Sequence, residues 1–175
     1  MKYSKKYTNA DFYKNGEFRQ DVAVEAMKDM FAFYGIPFTE LGGVVPNPLL
    51  SKVREGIEIC RQKKIDFILA VGGGSVIDAS KVIAGGAYYD GDAWDLVVDN
   101  SKIGKVLPIV TILTLAATGS EMNKNAVISN MATNEKLGTS SHYFKPMASI
   151  CDPTYLFTLP ASQTAAGTAD IMSHV

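Results

Sequence analysis

Cysteine is scarce in this chain. The 175 residues include only Cys60 and Cys151, which lie far apart and form no CxxC pair. Closely spaced cysteines would indicate a disulfide framework, a zinc site or a redox motif, and no such pattern is present. The scarcity favours a reduced protein of the cytoplasm.

The chain also lacks a dominant charge and a long apolar run. Its 17 Lys and Arg residues nearly balance 18 Asp and Glu residues, which gives a net charge of -1. No broad basic surface is expected, and this argues against nucleic acid and anionic membranes as partners. The basic start, MKYSKKY, is followed by no apolar run, so it does not resemble a signal peptide. No stretch is long enough to cross a bilayer.

What is present is an alternation of helical and strand-like segments. Helical spacing of apolar residues predicts helices over 17–34, 49–64, 76–87 and 161–175. Short apolar runs predict strands over 37–41, 65–71, 106–113, 125–129 and 148–152. Such alternation indicates an α/β domain with a mainly parallel sheet. The length suits one domain with a core, or one domain and part of another.

A glycine-rich turn, GGGS at 72–75, directly follows one of the predicted strands. Ligands of open parallel sheets gather where loops leave the carboxyl ends of the strands. Glycines allow close approach of a phosphate, and the amides that begin the next helix point at such an anion. The turn is neither GxGxxG nor a P-loop. By itself it fits a tight strand-to-helix turn as well as it fits a phosphate site.

A second polar loop, TLAATGSE at 114–121, follows the next long apolar strand. It offers the hydroxyl groups of Thr114, Thr118 and Ser120. Hydroxyl side chains also cap helices, so a cap is the alternative interpretation. Two such loops after two predicted strands favour a bound nucleotide.

The last residues, AGTADIMSHV, place Asp170 and His174 four positions apart. On a helix this spacing puts both side chains on one face, one turn apart. A carboxylate and an imidazole so arranged can bind one metal ion, although two ligands make only half a site. The residues alone fit an ordinary surface pair better.

Five motifs, in order, resemble the iron-containing (group III) alcohol dehydrogenases, in particular the butanol dehydrogenase or aldehyde reductase branch. They are GGVVPNP, LAVGGGSVIDASK, TLAATGSEMN, CDPTYLFTLP and AGTADIMSHV. The resemblance implies a Rossmann-like dinucleotide-binding domain over residues 1–160. Residues 161–175 would then begin the first helix of an all-helical metal domain, before which the chain is truncated.

The same resemblance implies a set of site residues. Those that match cofactor contacts are Gly73, Gly74, Ser75, Thr114, Thr118, Asn123 and Lys136. Asp170 and His174 match the first two metal ligands, whereas His142 matches no ligand position. Without the resemblance, Lys136 would be interpreted as a solvated loop lysine. The cofactors implied are NAD or NADP and Fe(II), or another divalent metal such as Zn(II).

The activity implied is hydride transfer between a small alcohol or aldehyde and the nicotinamide, with the metal ion acting as a Lewis acid on the substrate oxygen. We expect a homo-oligomer and, for this chain alone, no activity, because the other ligands of the family are histidines further along. One alternative is a nucleotide-binding remnant without catalysis. Another is a relative of the glycerol dehydrogenases or dehydroquinate synthases, which share the broad architecture.

The start of the chain departs from the family pattern. Family members carry an early glycine loop that resembles YGGGSIKKNG, whereas this chain has YTNADFYKNG at 7–16. Thr8, Asn9 and Ala10 replace the glycines, and Asp11 replaces the serine. A carboxylate there would repel a 2′-phosphate and accept a hydrogen bond from a free 2′-hydroxyl. The loop therefore either favours NAD over NADP or has lost the cofactor.

Overall fold

The computed structural model describes residues 13–14, 17–18 and 20–174. The strands are β1 (Tyr13–Lys14), β2 (Glu17–Phe18), β3 (Ile68–Gly72), β4 (Ile109–Leu113), β5 (Asn125–Asn130), β6 (Glu135–Ser140) and β7 (Ala148–Ile150). The helices are α1 (Gln20–Phe33), α2 (Leu50–Lys63), α3 (Gly74–Gly86), α4 (Ala93–Val98) and α5 (Ala161–Ser173). Within these ranges, no helix is long and apolar enough to span a bilayer.

A parallel sheet of three strands, in the order β3-β4-β7, positions the loops of interest. Ile68 pairs with Ile109 and Val110 pairs with Ala148, so all three carboxyl ends lie at one edge. The chain passes from β3 to β4 through α3, which packs against both strands. This arrangement confirms the predicted α/β class with a Rossmann-like parallel sheet.

A second sheet is an antiparallel hairpin of β5 and β6, in which Asn130 pairs with Glu135. The strand predicted at 125–129 is therefore confirmed, but it lies outside the parallel sheet. Its partner β6 was not predicted, because EKLGTS has no regular apolar alternation. Ala126 and Ile128 of β5 are buried, and they hold the hairpin against the apolar core.

The strand predicted at 37–41 is wrong. The backbone there forms neither helix nor strand, and Phe38 is 45% exposed while it contacts Phe31. A lone extended segment without a neighbouring strand leaves its amides and carbonyls for water, so it does not form a sheet. The first helix also begins later than predicted, at Gln20, because residues 17–18 pair in the β1–β2 hairpin.

Close packing of α2 on α3 forms the centre of the apolar core. Gly56 of α2 lies so near Ile83 and Leu41 that an added Cβ would approach Ile83 Cδ1 to 2.5 Å. A Cβ added at Gly86 of α3 would likewise come too close to Ile57 of α2. Each glycine thus leaves room for an isoleucine side chain of the other helix, and this close packing fixes α3 between α2 and the sheet.

Candidate cofactor and metal site

The GGGS turn lies at the carboxyl end of β3, as predicted. Gly72 is the last residue of β3, and α3 begins at Gly74. No side chain caps the start of α3, although the Gly73 carbonyl accepts hydrogen bonds from the amides of Val76 and Ile77. A helix of 13 residues therefore presents its first amides, and the positive end of its dipole, at the edge of the sheet. Ser75 lies half-buried in this first turn.

The second loop, residues 114–123, lies directly against this turn. A Cβ on Gly74 would lie 2.9 Å from Thr118 Oγ1 and 3.6 Å from Ser120 Oγ. The Thr114 amide donates to the Gly72 carbonyl at 3.0 Å, and this ties the start of the loop to the end of β3. The structure therefore brings Gly73, Gly74, Thr114 and Thr118 together at one edge. Only glycine leaves room between the two loops at position 74.

Asp78, on the second turn of α3, binds the second loop through its carboxylate. Its Oδ1 accepts from Ser120 Oγ at 2.8 Å, and its Oδ2 accepts from the Val127 amide at 2.9 Å. Ser120 Oγ also lies 2.9 Å from Thr118 Oγ1. Burial raises the pKa of Asp78, while the hydrogen bonds from Ser120 and Val127 and the charge of Lys81 oppose that rise. The carboxylate thus links α3 to both the loop and β5.

Lys81 lies one turn further along α3 and is completely buried. Its Nζ donates to the Asn123 carbonyl at 3.0 Å, to Asn123 Oδ1 at 3.0 Å and to the Asn125 carbonyl at 2.8 Å. Burial lowers the pKa of Lys81 to about 8, against the opposing charges of Asp78 and Glu121. Three oxygens around one nitrogen match the three donors of an ammonium group.

The side chain of Asn123 is used within the loop itself. Besides the bond from Lys81, its Oδ1 accepts from the Asn125 amide at 3.0 Å, and its Nδ2 donates to the Thr118 carbonyl at 3.0 Å. The predicted role of Asn123 in lining the cofactor cleft stays a prediction. The contacts show that it shapes the loop that carries Thr118.

Sequence reasoning missed Asp78 and Lys81. The available signal was the pair of charges, three positions apart on one helical face, in the otherwise apolar segment VIDASKVIAGGA. Charged residues are almost never fully buried unless they are paired or hydrogen-bonded. A pair within a helix that must pack on both sides therefore points to a polar network.

The depressed pKa of Lys81 predicts a pH-dependent stability. Between about 8 and 10.5 the unfolded chain keeps the proton that the folded chain has released. The free energy of unfolding should therefore rise with pH across this window, and the gain should be lost as pH falls through about 8. Urea unfolding at pH 7.5 and 9.5 measures it. The increase in unfolding free energy should be smaller in Lys81→Met, which lacks this titrating group. Equal increases in both proteins would contradict the prediction.

Lys136 lies on β6 rather than in a loop, and its predicted contact with the cofactor stays a prediction. Its side chain is exposed, yet its Nζ donates to Asn47 Oδ1 at 2.8 Å. Asn47 belongs to the GGVVPNP turn and has a left-handed backbone with φ 57°. The neighbouring Pro48 carbonyl accepts from the Ser129 amide, and Ser129 pairs with Lys136 across the hairpin. The turn at 42–48 and the hairpin therefore form one surface.

Asp170 and His174 lie at the end of α5 on one face, as predicted. Asp170 Oδ1 and His174 Nε2 are 3.7 Å apart, and their side chains are 39% and 59% exposed. Among the residues that the structure describes, no group of three or more His, Cys, Asp and Glu side chains could hold a metal ion. His142 is exposed in a separate short 3-10 helix. The pair offers one carboxylate oxygen and one imidazole nitrogen, which suits a divalent ion but does not complete its coordination.

Helix α5 contacts the second loop through its backbone. Gly167 is buried, and a Cβ added there would lie 2.8 Å from the Ala116 carbonyl oxygen. Asp170 follows Gly167 by about one turn of the same helix. The second loop therefore lies between the GGGS turn on one side and the helix of the metal pair on the other.

The predictions for Thr8, Asn9, Ala10 and Asp11 concern residues outside those the structure describes. They stay predictions, as does the preference for NAD that rests on them. The two cysteines form no disulfide, and Cys60 is buried while Cys151 is exposed.

Comparison with protein families gives a match over most of the chain. The sequence model described as iron-containing alcohol dehydrogenase matches residues 11–153. NADH-dependent butanol dehydrogenase A of Clostridium acetobutylicum is 57% identical over 162 residues, which cover 93% of this chain and 42% of the relative. The NADPH-dependent aldehyde reductase YqhD of Escherichia coli is 37% identical over 165 residues, with the same shares covered.

Solved structures show the same likeness in three dimensions. An NADH-dependent butanol dehydrogenase A from Thermotoga maritima superimposes with a TM-score of 0.84 at 46% identity, over 89% of this chain and 39% of that one. A sulfoacetaldehyde reductase from Bifidobacterium kashiwanohense, solved in complex with NAD+, gives a TM-score of 0.79 at 31% identity, over 87% and 41%. The chain spans about two fifths of the length of the relatives it matches.

Proposed function

Because the chain belongs to the iron-containing alcohol dehydrogenase family, we propose that it is the dinucleotide-binding part of an oxidoreductase. The reaction would transfer hydride between a small alcohol or aldehyde and NAD(H). The observation that carries this proposal is the contact of the GGGS turn with the Thr118 loop, at the start of α3.

The two loops have the chemistry that a dinucleotide needs. Uncapped amides at the start of α3 would donate hydrogen bonds to the pyrophosphate, and the glycines at 73 and 74 would let it approach the backbone. The Thr114 hydroxyl would contact it from the opposite side, and the Thr118 hydroxyl would contact the adjoining nicotinamide half. The carboxylate of Asp78 does not enter this pocket as a free anion, because Ser120 and Val127 hold both of its oxygens.

For the nucleotide, we propose NADH. The relatives at 57% and 51% identity are both named as NADH-dependent butanol dehydrogenases, whereas the NADPH-dependent reductase is 37% identical. The butanol dehydrogenase branch also supports a small primary alcohol or its aldehyde as substrate. Asp11, whose charge would disfavour a 2′-phosphate, agrees with this choice.

For the metal, we propose that Asp170 and His174 supply two ligands. When bound there, Fe(II) or Zn(II) would supply a Lewis acid that polarises the substrate oxygen. Residues 161–173 would then begin the helical region of a longer assembly, which supplies the remaining ligands. The contact of Gly167 with Ala116 would hold this pair beside the nicotinamide end of the cofactor.

Titration of the chain with NADH and NADPH tests the proposal. NADH fluorescence and calorimetry should report binding of both nucleotides, with NADH bound more tightly. The reduced nucleotides are chosen because binding can be measured without turnover. A folded chain that binds neither would overturn the proposal.

A nucleotide-binding protein without catalysis is the second candidate. It is favoured by the metal pair, because the described residues provide only two adjacent donors. Both candidates bind NADH, so the nucleotide titration does not separate them. The metal experiment in the Discussion does.

We further propose that the chain forms homo-oligomers. Several apolar side chains are largely exposed, among them Met122, Met147, Phe157, Ile171 and Met172. Exposed apolar groups of this size promote association in water. Static light scattering over a concentration series should therefore give a mass above that of the 18.9 kDa chain. A monomer at every concentration would contradict the proposal.

A further inference from the structure

The most deeply buried charged group in the described residues is not one that the predicted site uses. Lys81 has no exposed surface, and its ammonium binds three oxygens that all belong to Asn123 and Asn125. Burying a charge is costly unless hydrogen bonds compensate for the lost water. The three bonds provide that compensation only if residues 123–125 keep their present path. The free-energy cost of burying the Lys81 charge therefore depends on the conformation of residues 123–125.

The segment that Lys81 holds continues directly into the residues that adjoin the GGGS turn. Asn123 Nδ2 donates to the Thr118 carbonyl, and Thr118 Oγ1 is the atom nearest to Gly74 of the turn. A short chain of contacts thus runs from the buried ammonium, through Asn123, to the gap between the loops. Because Lys81 and Gly74 belong to the same helix, the turn and the second loop are positioned from one rigid element.

The second loop also contacts α5, the helix that carries Asp170 and His174. It contacts the GGGS turn at Thr118 and α5 at Ala116, so it lies between the pyrophosphate site and the helix of Asp170 and His174. Hydride transfer requires the nicotinamide to approach the substrate beside the metal ion. With the nucleotide bound as proposed, the loop would border its nicotinamide half, whereas the GGGS turn would border the pyrophosphate.

We propose that Lys81 is a positioning residue for the nicotinamide half of the cofactor: it fixes residues 118–125 through Asn123 and Asn125 without touching the nucleotide. The inference rests on the proposed binding of NADH. It goes further by assigning a role to a residue of the core. Other ties to the loop, such as the 2.5 Å bond from Ser149 Oγ to the Glu121 carbonyl, do not pass through Lys81.

Lys81→Met tests this role, because it keeps the length and bulk of the side chain and removes the donors. It should weaken NADH binding about tenfold, which corresponds to roughly 1.4 kcal/mol. The affinity for ADP, which lacks the nicotinamide half, should stay within about twofold of wild type by the same scale. Lys124→Met is the matched control, because it removes an exposed lysine that lies between Asn123 and Asn125. It should leave both affinities within about twofold.

Hydrogen exchange provides a readout that does not need the cofactor. In Lys81→Met, the amide of Asn125 should exchange faster, since its acceptor, Asn123 Oδ1, also accepts from Lys81. The amide of Thr114, bonded to the Gly72 carbonyl, should keep its wild-type rate. A uniform rise in exchange, or an equal loss of NADH and ADP affinity, would show a general structural role and overturn the proposal. Unchanged exchange with unchanged NADH affinity would overturn it too.

Asn123→Ala keeps the test decisive if Lys81→Met does not fold. It removes Oδ1 and Nδ2 while the buried ammonium keeps the two carbonyl oxygens. The same localised exchange and the same selective loss of NADH affinity are expected, and wild-type behaviour would refute the proposal. If the wild-type chain binds neither NADH nor ADP, the proposed function fails, and the exchange pattern alone decides the role of Lys81.

Discussion

Gly74→Asp should abolish NADH binding, with a loss of at least about a hundredfold in affinity, or roughly 2.7 kcal/mol. Two causes act together. A Cβ at this position would lie 2.9 Å from Thr118 Oγ1, so the larger aspartate side chain fits only if Thr118 rotates and the loop shifts. A carboxylate at the start of α3 would also occupy the place of the pyrophosphate and repel it. Calorimetric titration of NADH measures the loss.

Two control variants separate the steric effect of the substitution from the effect of its charge. Gly104→Asp adds the same charge at an exposed glycine with nothing within 4 Å of an added Cβ, and it should bind NADH as wild type does. Gly74→Ala adds bulk alone, which the hydroxyl of Thr118 can partly avoid by rotating, so an intermediate loss is expected. Near-normal NADH binding by a folded Gly74→Asp protein would place the pyrophosphate elsewhere.

The second large effect concerns Asp170 and His174. The 175-residue chain should bind Fe(II) or Zn(II) weakly and show no measurable alcohol oxidation, since it offers two adjacent ligands. Fusion to the remaining part of the Clostridium acetobutylicum butanol dehydrogenase A should restore metal binding and NAD-linked oxidation of butanol. In that fusion, His174→Ala should lower turnover by at least about a hundredfold, more than the loss of an outer-shell partner. Calorimetry gives metal affinity, and absorbance of NADH gives turnover.

The chain supplies its own control for this experiment. His142 is its only other histidine, and it lies exposed outside α5, so His142→Ala in the fusion should retain metal binding and turnover. Full activity of the His174→Ala fusion would mean that the ligand assignment is wrong. Metal-dependent turnover by the chain alone would contradict the half-site. A fusion that binds metal and NADH yet remains inactive would favour the non-catalytic candidate.

The parts of the fold that sequence could predict are those decided by local pattern. The apolar runs before GGGS and TLAATGSE became β3 and β4, because a strand covered on both faces must be apolar throughout. Local pattern did not predict β6, and it wrongly predicted a strand at 37–41, because it does not decide the conformation of these two segments. Their conformations depend on a partner strand, which is present for EKLGTS and absent for PFTEL within the described residues.

The candidate site likewise contains features that local sequence pattern predicts and features that depend on distant residues. Glycines and hydroxyl groups at strand ends could be recognised, because their chemistry and their position follow from a few adjacent residues. The role of Lys81 could not, because its acceptors lie 42 and 44 residues further along the chain. Only folding brings those oxygens to the nitrogen. The N-terminal predictions at Thr8 to Asp11 lie outside the described residues and remain as they were.

The contact of Gly167 with Ala116 has a mechanical consequence. Because the two backbones touch here with no side chain between them, α5 can tilt about this point but cannot move closer to the second loop. The contact therefore acts as a pivot. Asp170, about one turn beyond the pivot, therefore moves only a little relative to the second loop when α5 tilts.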